Sequence, residues 1–263
     1  MTSNPNGSCL LSILTTTRSD PRLARCIRST LPLLNYLNFE HIIHEGGSTS
    51  EEAELLINSY SHIRYSCYPD AGIYDGMNIC LSAALGDYCV TLNSDDTLIE
   101  DSFPFLKLLL DLDEDVFCFD VLVCGPSPGA SSFLFSSILS ARLSLVHLSL
   151  GMAYPHPGFI SKTSLAKLVK FNTNAGVQAD LLFIYNMLSM LARRPTFLIG
   201  IPLQRFELGG ASCKQIGLIA SNPHIQGLHL VFLSSLPLRS KLIGIPIKLL
   251  QSLFYIIKQL MPS

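Results

Sequence analysis

Residues 68–96 read YPDAGIYDGMNICLSAALGDYCVTLNSDD, and this stretch decides the fold. A Pro-Asp-Ala-Gly turn leads into a helical segment, which is followed by the apolar strand Tyr88 to Leu92 and the polar turn Asn93 to Asp96. Open α/β sheets place their ligands at the carboxyl ends of strands, which is where such a turn would lie. The stretch therefore predicts a sheet with crossover helices and a ligand site at its strand ends.

The same alternation of apolar runs with capped or amphipathic segments extends over the first 125 residues, and it predicts an α/β domain. Ser50 precedes a cluster of glutamates and is the predicted N-cap of a helix. The predicted strands are Leu10 to Thr15, Phe39 to His44, Ile63 to Ser66, Tyr88 to Leu92 and Val116 to Val123, and the predicted helices are Pro21 to Leu31, Glu51 to Ser59, Asp75 to Ala84 and Asp101 to Leu110.

A loop rich in Gly, Pro and Ser, Gly125 to Ser132, ends this first half. Beyond it, the pattern predicts a helix over Gln178 to Leu191 and an extended segment over Thr196 to Phe206. We therefore expect one domain over residues 1–212, divided into halves 1–125 and 126–212, and a separate C-terminal region over residues 213–263.

The charge balance argues against nucleic acid as a partner. The chain has 18 basic and 20 acidic residues and a net charge of −2, so it has no overall positive field for binding nucleic acid. Only 14% of the residues are charged, and the mean hydropathy is +0.38. This composition is more apolar than that of an ordinary soluble enzyme and is compatible with membrane contact.

The C-terminal region differs from the rest of the chain, because residues 208–263 contain no acidic residue and five basic ones. Between Lys248 and Gln259, six polar positions lie on one face of a predicted helix whose other positions are apolar. The apolar run is shorter than the roughly 20 residues that cross a bilayer. We therefore expect an amphipathic helical tail in peripheral contact with an anionic membrane. Docking of this helix on the protein's own core is the alternative.

The eight cysteines show neither a CxxC motif nor paired metal-ligand spacing, which indicates free thiols in a reducing compartment. The N-terminal sequence MTSNPNGS lacks the basic and apolar regions of a secretory signal. We therefore expect a cytoplasmic location.

The acidic turn is the first candidate for chemistry. Asp95 and Asp96 are adjacent carboxylates, and Asn93 and Ser94 precede them. Together they offer the hard oxygen ligands that Mg²⁺ or Mn²⁺ prefers, and a metal there would bridge a diphosphate. A simple helix-capping turn is the alternative.

Three further polar segments lie at the ends of predicted strands, namely Thr15 to Asp20, Glu45 to Ser48 and Ser66 to Asn78. Asp75 also suits the cap of the helix that it precedes. Because the carboxyl ends of parallel strands meet at one edge of a sheet, we expect all four polar segments to converge. Convergence of several loops is what a nucleotide site requires.

Six blocks of the sequence resemble family 2 glycosyltransferases of the GT-A fold, and they occur in that family's order. Within the family they resemble the bacterial branch that builds capsular, colanic-acid-like and other cell-surface polysaccharides. The pair GIYDGMN and LNSDD is highly specific, and the resemblance covers about residues 10–212. The blocks are LLSILTTTRSD (10–20), FEHIIHEGGSTSEE (39–52), YPDAGIYDGMNICLSAALGDYCVTLNSDD (68–96), HPGFISK (156–162), QADLLFIYNML (178–188) and RFELGGAS (205–212).

The resemblance implies a Rossmann-like mixed sheet flanked by helices, with residues 1–125 as the nucleotide-sugar-binding half and residues 126–212 as the acceptor half. It also implies roles for individual residues. On the donor side, the resemblance implies that Thr15, Thr17 and Glu45 line the base and ribose pocket, that Asp70 and Asp75 lie beside the nucleotide, and that Asn93, Ser94 and Asp95 contact the donor. It implies that Asp96 and Asp95 hold a divalent cation (Mn²⁺ or Mg²⁺). On the acceptor side, it implies that Asp180 is the general base and that His156 lies near the acceptor or the diphosphate.

The reaction implied by the resemblance is an inverting, metal-dependent transfer, in which an acceptor hydroxyl displaces the nucleoside diphosphate from a UDP-sugar. The expected acceptor is a glycan carried on a polyprenyl lipid, as in the synthesis of surface polysaccharides. Together with the basic tail, this implies a location at the cytoplasmic face of the inner membrane. Asp180 is the one acid of its predicted helix, which suits a general base.

Four positions depart from the family pattern: Glu45, Ser50, Tyr68 and Ile79 replace Asp, Asp, Glu and Lys. These changes favour the alternative of a non-catalytic GT-A-like protein that binds a nucleotide sugar or forms a scaffold at the membrane. The retained acids Asp95, Asp96 and Asp180 favour the enzyme.

Overall fold

A computed structural model describes residues 10–125, 131–136 and 154–208. Within these ranges, nine strands form one sheet and six α-helices accompany it. The strands are β1 (Leu11–Thr17), β2 (Phe39–Glu45), β3 (Ile63–Cys67), β4 (Tyr88–Thr91), β5 (Thr97–Leu98), β6 (Val116–Cys124), β7 (Ser132–Phe135), β8 (Phe159–Lys162) and β9 (Thr196–Glu207). The helices are α1 (Leu23–Thr30), α2 (Glu51–Ser59), α3 (Ile73–Ala83), α4 (Phe103–Leu110), α5 (Thr163–Val169) and α6 (Ala179–Met190).

The sheet is mixed, with the strand order β3-β2-β1-β4-β8-β6-β9-β5 and with β7 paired to β6. Strands β3, β2, β1 and β4 are parallel to one another. Strand β8 is antiparallel to both of its neighbours, β4 and β6, and β9 is parallel to β6. The carboxyl ends of β1 to β4, β6 and β9 therefore lie at one edge of the sheet.

The centre of the sheet is covered on both faces, and every residue of β1 and β2 is buried. On one face, Leu11 belongs to the same apolar cluster as Phe103 of α4. On the other face, Leu14 belongs to a cluster with Met77 of α3 and Ile184 of α6. This arrangement explains why β1 and β2 have apolar residues in both alternating positions, as is usual for strands covered on two sides.

The predicted α/β class and mixed sheet are confirmed, and each predicted strand and helix of the first half is present. Strands β1 and β2 extend to Thr17 and Glu45, so both residues lie at strand ends. Helix α3 begins at Ile73 rather than at the predicted Asp75, and the predicted helical start at Asp101 is a short 3₁₀ turn, Glu100–Ser102. The predicted N-cap is confirmed, because the Ser50 hydroxyl accepts a hydrogen bond from the Ala53 N–H.

The predicted boundary at residue 212 and the predicted amphipathic tail over residues 213–263 lie outside the described residues. No helix in the described part of the chain is both long and apolar enough to span a bilayer.

Candidate active site

The four polar loops predicted from the sequence meet at the carboxyl edge of the sheet. The Gly46 N–H donates a hydrogen bond to the Thr17 carbonyl (2.9 Å), and the Tyr68 N–H donates to the Glu45 carbonyl (3.2 Å). The Ser94 hydroxyl donates to the Asp20 carboxylate (3.3 Å), which joins the loop after β4 to the loop after β1. The predicted convergence is confirmed by these contacts.

Thr17 and Glu45 are register partners at the ends of β1 and β2. One Glu45 oxygen, Oε1, accepts hydrogen bonds from the N–H groups of Ser19 (2.9 Å) and Gly47 (2.6 Å). The other oxygen, Oε2, and the Thr17 hydroxyl are buried and have no hydrogen-bond partner. Buried polar groups without partners are costly. This pair therefore offers one acceptor and one hydroxyl to the polar edge of a ligand.

Thr15 lies deeper in the sheet and is fully buried. Its hydroxyl donates to the Leu92 carbonyl (2.7 Å) and lies 2.8 Å from the His41 Nε2. Burial lowers the pKa of His41 to about 3, so the ring is neutral at physiological pH. Of the two threonines predicted to line the nucleotide pocket, Thr15 thus already uses its hydroxyl inside the protein.

Asp70 and Asp75 both hold the loop after β3. Asp70 pairs with Arg18 (2.5 Å) and accepts a hydrogen bond from the Gly72 N–H (2.9 Å). Asp75 accepts from the Ala71 N–H (2.9 Å). It lies inside the first turn of α3 and the N-cap is Gly72, so the alternative in which Asp75 precedes and caps the helix is wrong. A Cβ atom on Gly46 would lie 2.2 Å from the Asp70 carboxylate, so only glycine lets these loops meet so closely.

Asp96 is fully buried, and both of its carboxylate oxygens are engaged. One accepts from the Asn93 side-chain amide (2.9 Å), and the other accepts from the backbone N–H of Glu207 (2.9 Å). Burial, together with the neighbouring charge of Asp95, raises the pKa of Asp96 to about 7. Asp96 therefore joins the turn after β4 to the end of β9.

Asp95 faces a cation instead. Its carboxylate lies 3.5 Å from the Arg22 guanidinium, which also forms a two-point contact with Asp20 (2.9 and 2.7 Å). Burial raises the pKa of Asp95, and the Arg22 charge opposes that shift. Arg25 donates to the Asp95 carbonyl and to the Glu207 carboxylate, both at 2.5 Å.

The sequence reasoning assigned no role to Arg22, Arg25 or Glu207. The arginines are close in sequence to the polar end of β1, but nothing in that sequence indicates that they contact the turn after β4, which lies some 70 residues away.

The donor atoms of this turn can be compared with what a divalent cation needs. No group of three or more His, Cys, Asp or Glu side chains that could hold a metal occurs among the described residues. Mg²⁺ is nevertheless often bound by one or two carboxylates, with substrate phosphates and water completing its shell. Asp95 fits such a role, whereas each Asp96 oxygen already accepts one internal hydrogen bond and has only its remaining lone pair for a cation. Of the two predicted metal ligands, the geometry favours Asp95.

Asp180 is the second residue of α6, and its Oδ1 accepts a hydrogen bond from the Leu181 N–H (2.7 Å). Burial raises the pKa of this carboxyl to about 6. The carboxylate is therefore ionised at neutral pH but is a stronger base than an ordinary aspartate, which is the balance that general bases need.

His156 lies beneath the acidic turn, with its Nε2 3.5 Å from the hydroxyl of Thr91, the last residue of β4. Its ring is edge-on to Phe171 and Phe183, at centroid distances of 5.7 and 6.3 Å. A cavity of about 10 Å³ lies beside it. Burial lowers the pKa of His156 to about 4, so it is neutral and carries no positive charge for a diphosphate.

Comparison with solved structures gives matches to S. aureus TarS. The TarS 1–349 structure aligns with a TM-score of 0.62 at 15% identity, over 91% of this chain and 70% of that chain. Its complex with UDP-GlcNAc aligns with a TM-score of 0.64 at 15% identity, over 90% and 70%. Its complex with UDP aligns with a TM-score of 0.61 at 15% identity, over 90% and 69%. At this identity the likeness shows a common GT-A fold.

A sequence comparison with curated proteins gives no match to this chain. The profile described as "Glycosyl transferase family 2" matches residues 12–165. The matched range covers more than half of the 263 residues and includes all four loops of the site. The chain therefore belongs to glycosyl transferase family 2.

Proposed function

We propose that the protein is an inverting glycosyltransferase that moves a sugar from a UDP-sugar to a hydroxyl of a glycan acceptor. The observation that carries this proposal is the pair of unpartnered polar groups, Glu45 Oε2 and the Thr17 hydroxyl, at the point where the loops converge. TarS, which shares the fold, was solved with UDP-GlcNAc and with UDP. A nucleoside diphosphate sugar has the polar base, ribose and diphosphate that such an edge accommodates.

The acidic turn would act on the leaving group. Asp95 is the residue that we propose to hold a divalent cation, Mn²⁺ or Mg²⁺, and such a cation stabilises negative charge on a departing diphosphate. Arg22 and Arg25 lie against the same turn and add fixed positive charge beside it. Asp96 holds the turn in shape through its two hydrogen bonds.

Asp180 would act on the acceptor. In the proposed step, the acceptor hydroxyl oxygen forms a bond to the anomeric carbon while the bond from that carbon to the diphosphate oxygen breaks. The hydroxyl proton passes to the Asp180 carboxylate, and the nucleoside diphosphate leaves with the electron pair. Attack from the face opposite the leaving group inverts the anomeric configuration. The raised pKa of Asp180, about 6, suits it to accept this proton.

The wider setting of the reaction is also a proposal. The resemblance to the capsular and colanic-acid-like branch supports a role in the synthesis of surface polysaccharide on a polyprenyl-linked acceptor. The basic, acid-free sequence after residue 208 supports peripheral contact with an anionic membrane at the cytoplasmic face.

Thermal unfolding with a panel of nucleotide sugars tests the donor site. UDP-, GDP-, CMP- and dTDP-sugars are added with and without Mn²⁺ to wild type, to Asp95→Ala and to the control Asp111→Ala, which changes an exposed residue. A ligand that binds only the folded state must raise the midpoint by mass action. We expect a metal-dependent rise with UDP-sugar in wild type and in Asp111→Ala, and its loss in Asp95→Ala. A folded wild type that responds to none of the nucleotides would contradict the proposal and favour a scaffold.

A further inference from the structure

Tyr74, in the GIYDGMN motif, lies on α3 at one end of a column of aromatic rings. Its ring stacks on Phe171, with centroids 5.9 Å apart and 27° between the planes. Phe171 stacks in turn on Phe183, at 4.2 Å and 16°. Phe183 lies on α6, three residues after Asp180 and therefore on the same side of the helix, about one turn further along. The column therefore connects α3 to α6 within one turn of the proposed base.

The Tyr74 phenol also contacts the first turn of α6, because it hydrogen-bonds with the Asp180 backbone. The N–H groups in the first turn of a helix have no partner within the helix, so an outside acceptor stabilises them. Burial and the nearby Asp180 charge raise the pKa of Tyr74, and the phenol is therefore neutral. Tyr74 thus makes two contacts on this side of α3: its ring stacks on Phe171, and its phenol hydrogen-bonds with the Asp180 backbone.

The chain that leads into α6 is irregular, although the Ala179 N–H donates a hydrogen bond back to the Gly176 carbonyl. The preceding residues, Thr173–Gln178, form a 3₁₀ segment interrupted at Gly176, which has a φ of 54° and a ψ of −142°. A helix start that follows such an interruption is oriented by tertiary contacts. The contact from Tyr74 meets the helix at the residue whose carboxylate must face the acceptor.

We propose that Tyr74 is a positioning residue for Asp180: its ring and its phenol hold the first turn of α6 so that the carboxylate is oriented toward the acceptor and shielded from water. The inference rests on the proposed function, because it assumes that Asp180 is the base. Tyr74 acts through the helix start and need not touch the substrate.

The test compares Tyr74→Phe with Tyr185→Phe in the full chain. The first variant keeps the stacked ring and removes the phenol that contacts Asp180, and the second removes a phenol elsewhere on α6 as a matched control. Transfer is measured from pH 4.5 to 8.5 and gives kcat, both KM values and the midpoint of the acidic limb. Wild type should lose activity below a midpoint of about pH 6, where Asp180 becomes protonated.

For Tyr74→Phe we expect a kcat about tenfold lower, since small displacements of a catalytic group are costly, and an unchanged donor KM. The midpoint should fall by about one pH unit, because water that reaches Asp180 favours its charged form. Tyr185→Phe should match wild type in all of these values. Phe171→Leu is a second test, because it removes the ring on which Tyr74 rests, and it should shift the midpoint in the same direction.

Two results would overturn the inference. One is a Tyr74→Phe variant with wild-type kcat and midpoint. The other is a loss of thermal stability in Tyr74→Phe or Phe171→Leu with an unmoved midpoint, which would indicate a merely structural contact. Asp180→Asn separates this inference from the proposed function: if Asp180→Asn is inactive, the base stands whatever Tyr74 does, and if it is fully active, the base itself is wrong.

Discussion

Two carboxylates from different parts of the chain, Asp20 in the loop after β1 and Asp180 on α6, have pKa values shifted in opposite directions. On the nucleotide side, burial alone would raise the pKa of Asp20, but the hydrogen bonds and charge of Arg22 lower it. On the acceptor side, burial raises the pKa of Asp180 to about 6. Carboxylates whose environments push their pKa values apart commonly have different chemical roles. This difference supports the proposal that Asp20 and Arg22 organise charge beside the donor and that Asp180 accepts a proton.

The strongest way to test this division is to remove the proposed base. Asp180→Asn should lower kcat by about 10²- to 10⁴-fold, which is the usual contribution of a general base. Its stability should not fall, because the amide keeps the shape of the carboxyl and removes a charge that burial disfavours. Its response to nucleotide should stay unchanged. The measurements are transfer kinetics and thermal unfolding, with Asp111→Asn as the exposed control. Activity within threefold of wild type, a range of about 0.7 kcal/mol, would mean that the acceptor half does not work as described.

The two aspartates of the acidic turn provide a comparison within the nucleotide half. Asp96→Ala leaves the Asn93 amide and the Glu207 N–H without their acceptor, so the free energy of unfolding should drop by about 3 kcal/mol. Asp95→Ala should change stability by less than about 1 kcal/mol, because its ion pair with Arg22 is long and partly exposed. It should instead abolish the metal-dependent response to nucleotide. Urea unfolding with and without nucleotide and Mn²⁺ measures both effects, and interchanged phenotypes would make Asp96 the metal ligand.

Thr15 and Thr17 lie on the same strand, and substituting each in turn distinguishes a hydroxyl that stabilises the protein from one that we propose binds the ligand. Thr15→Val removes the hydroxyl that contacts the Leu92 carbonyl and the His41 Nε2 and should cost about 1–3 kcal/mol of stability. Thr17→Val removes a hydroxyl that has no protein partner, so stability should not fall. Nucleotide affinity should drop about tenfold in Thr17→Val, the worth of one good hydrogen bond. Calorimetric titration with UDP gives the affinity, and an unchanged value in Thr17→Val would remove this residue from the pocket.

Much of the structure of residues 10–125 could be predicted, because the sequence signals that determine it are local. Strands β1 to β4 and their helices follow one another with short connections, and parallel strands bring their polar ends to one edge. The same reasoning could not distinguish Asp95 from Asp96. Neighbouring residues in a turn have the same sequence signal, and only contacts with distant segments, Glu207 for one and Arg22 for the other, give them different roles.

The structure of residues 154–208 was less predictable, because it depends on contacts between distant segments. Strand β8 has only four residues and is antiparallel to both of its neighbours. It therefore lacks the strand–helix–strand sequence pattern that predicts a parallel strand. His156 is in the block HPGFISK, yet its neutral state follows from its burial beside Phe171 and Phe183. Burial by residues far away in sequence cannot be read from the spacing of a motif.

The smallest expected effect concerns this histidine and the pH dependence of stability. Burial holds the pKa of His156 at about 4, below its ordinary value of 6.5. Between these values the unfolded chain binds a proton that the folded protein does not, so stability is lost as the pH falls below 6.5. One such group changes the free energy of unfolding by at most about 1.4 kcal/mol per pH unit.

His156→Phe keeps an aromatic ring and removes this titration, so its free energy of unfolding should decline less between pH 6.5 and 5 than that of wild type. His41, with a pKa of about 3 beneath the nucleotide half, retains its own slope in both proteins. If the free energy of unfolding changes equally with pH in the two proteins, His156 takes up its proton as readily in the folded as in the unfolded state. The histidine would then again be a candidate for binding a diphosphate.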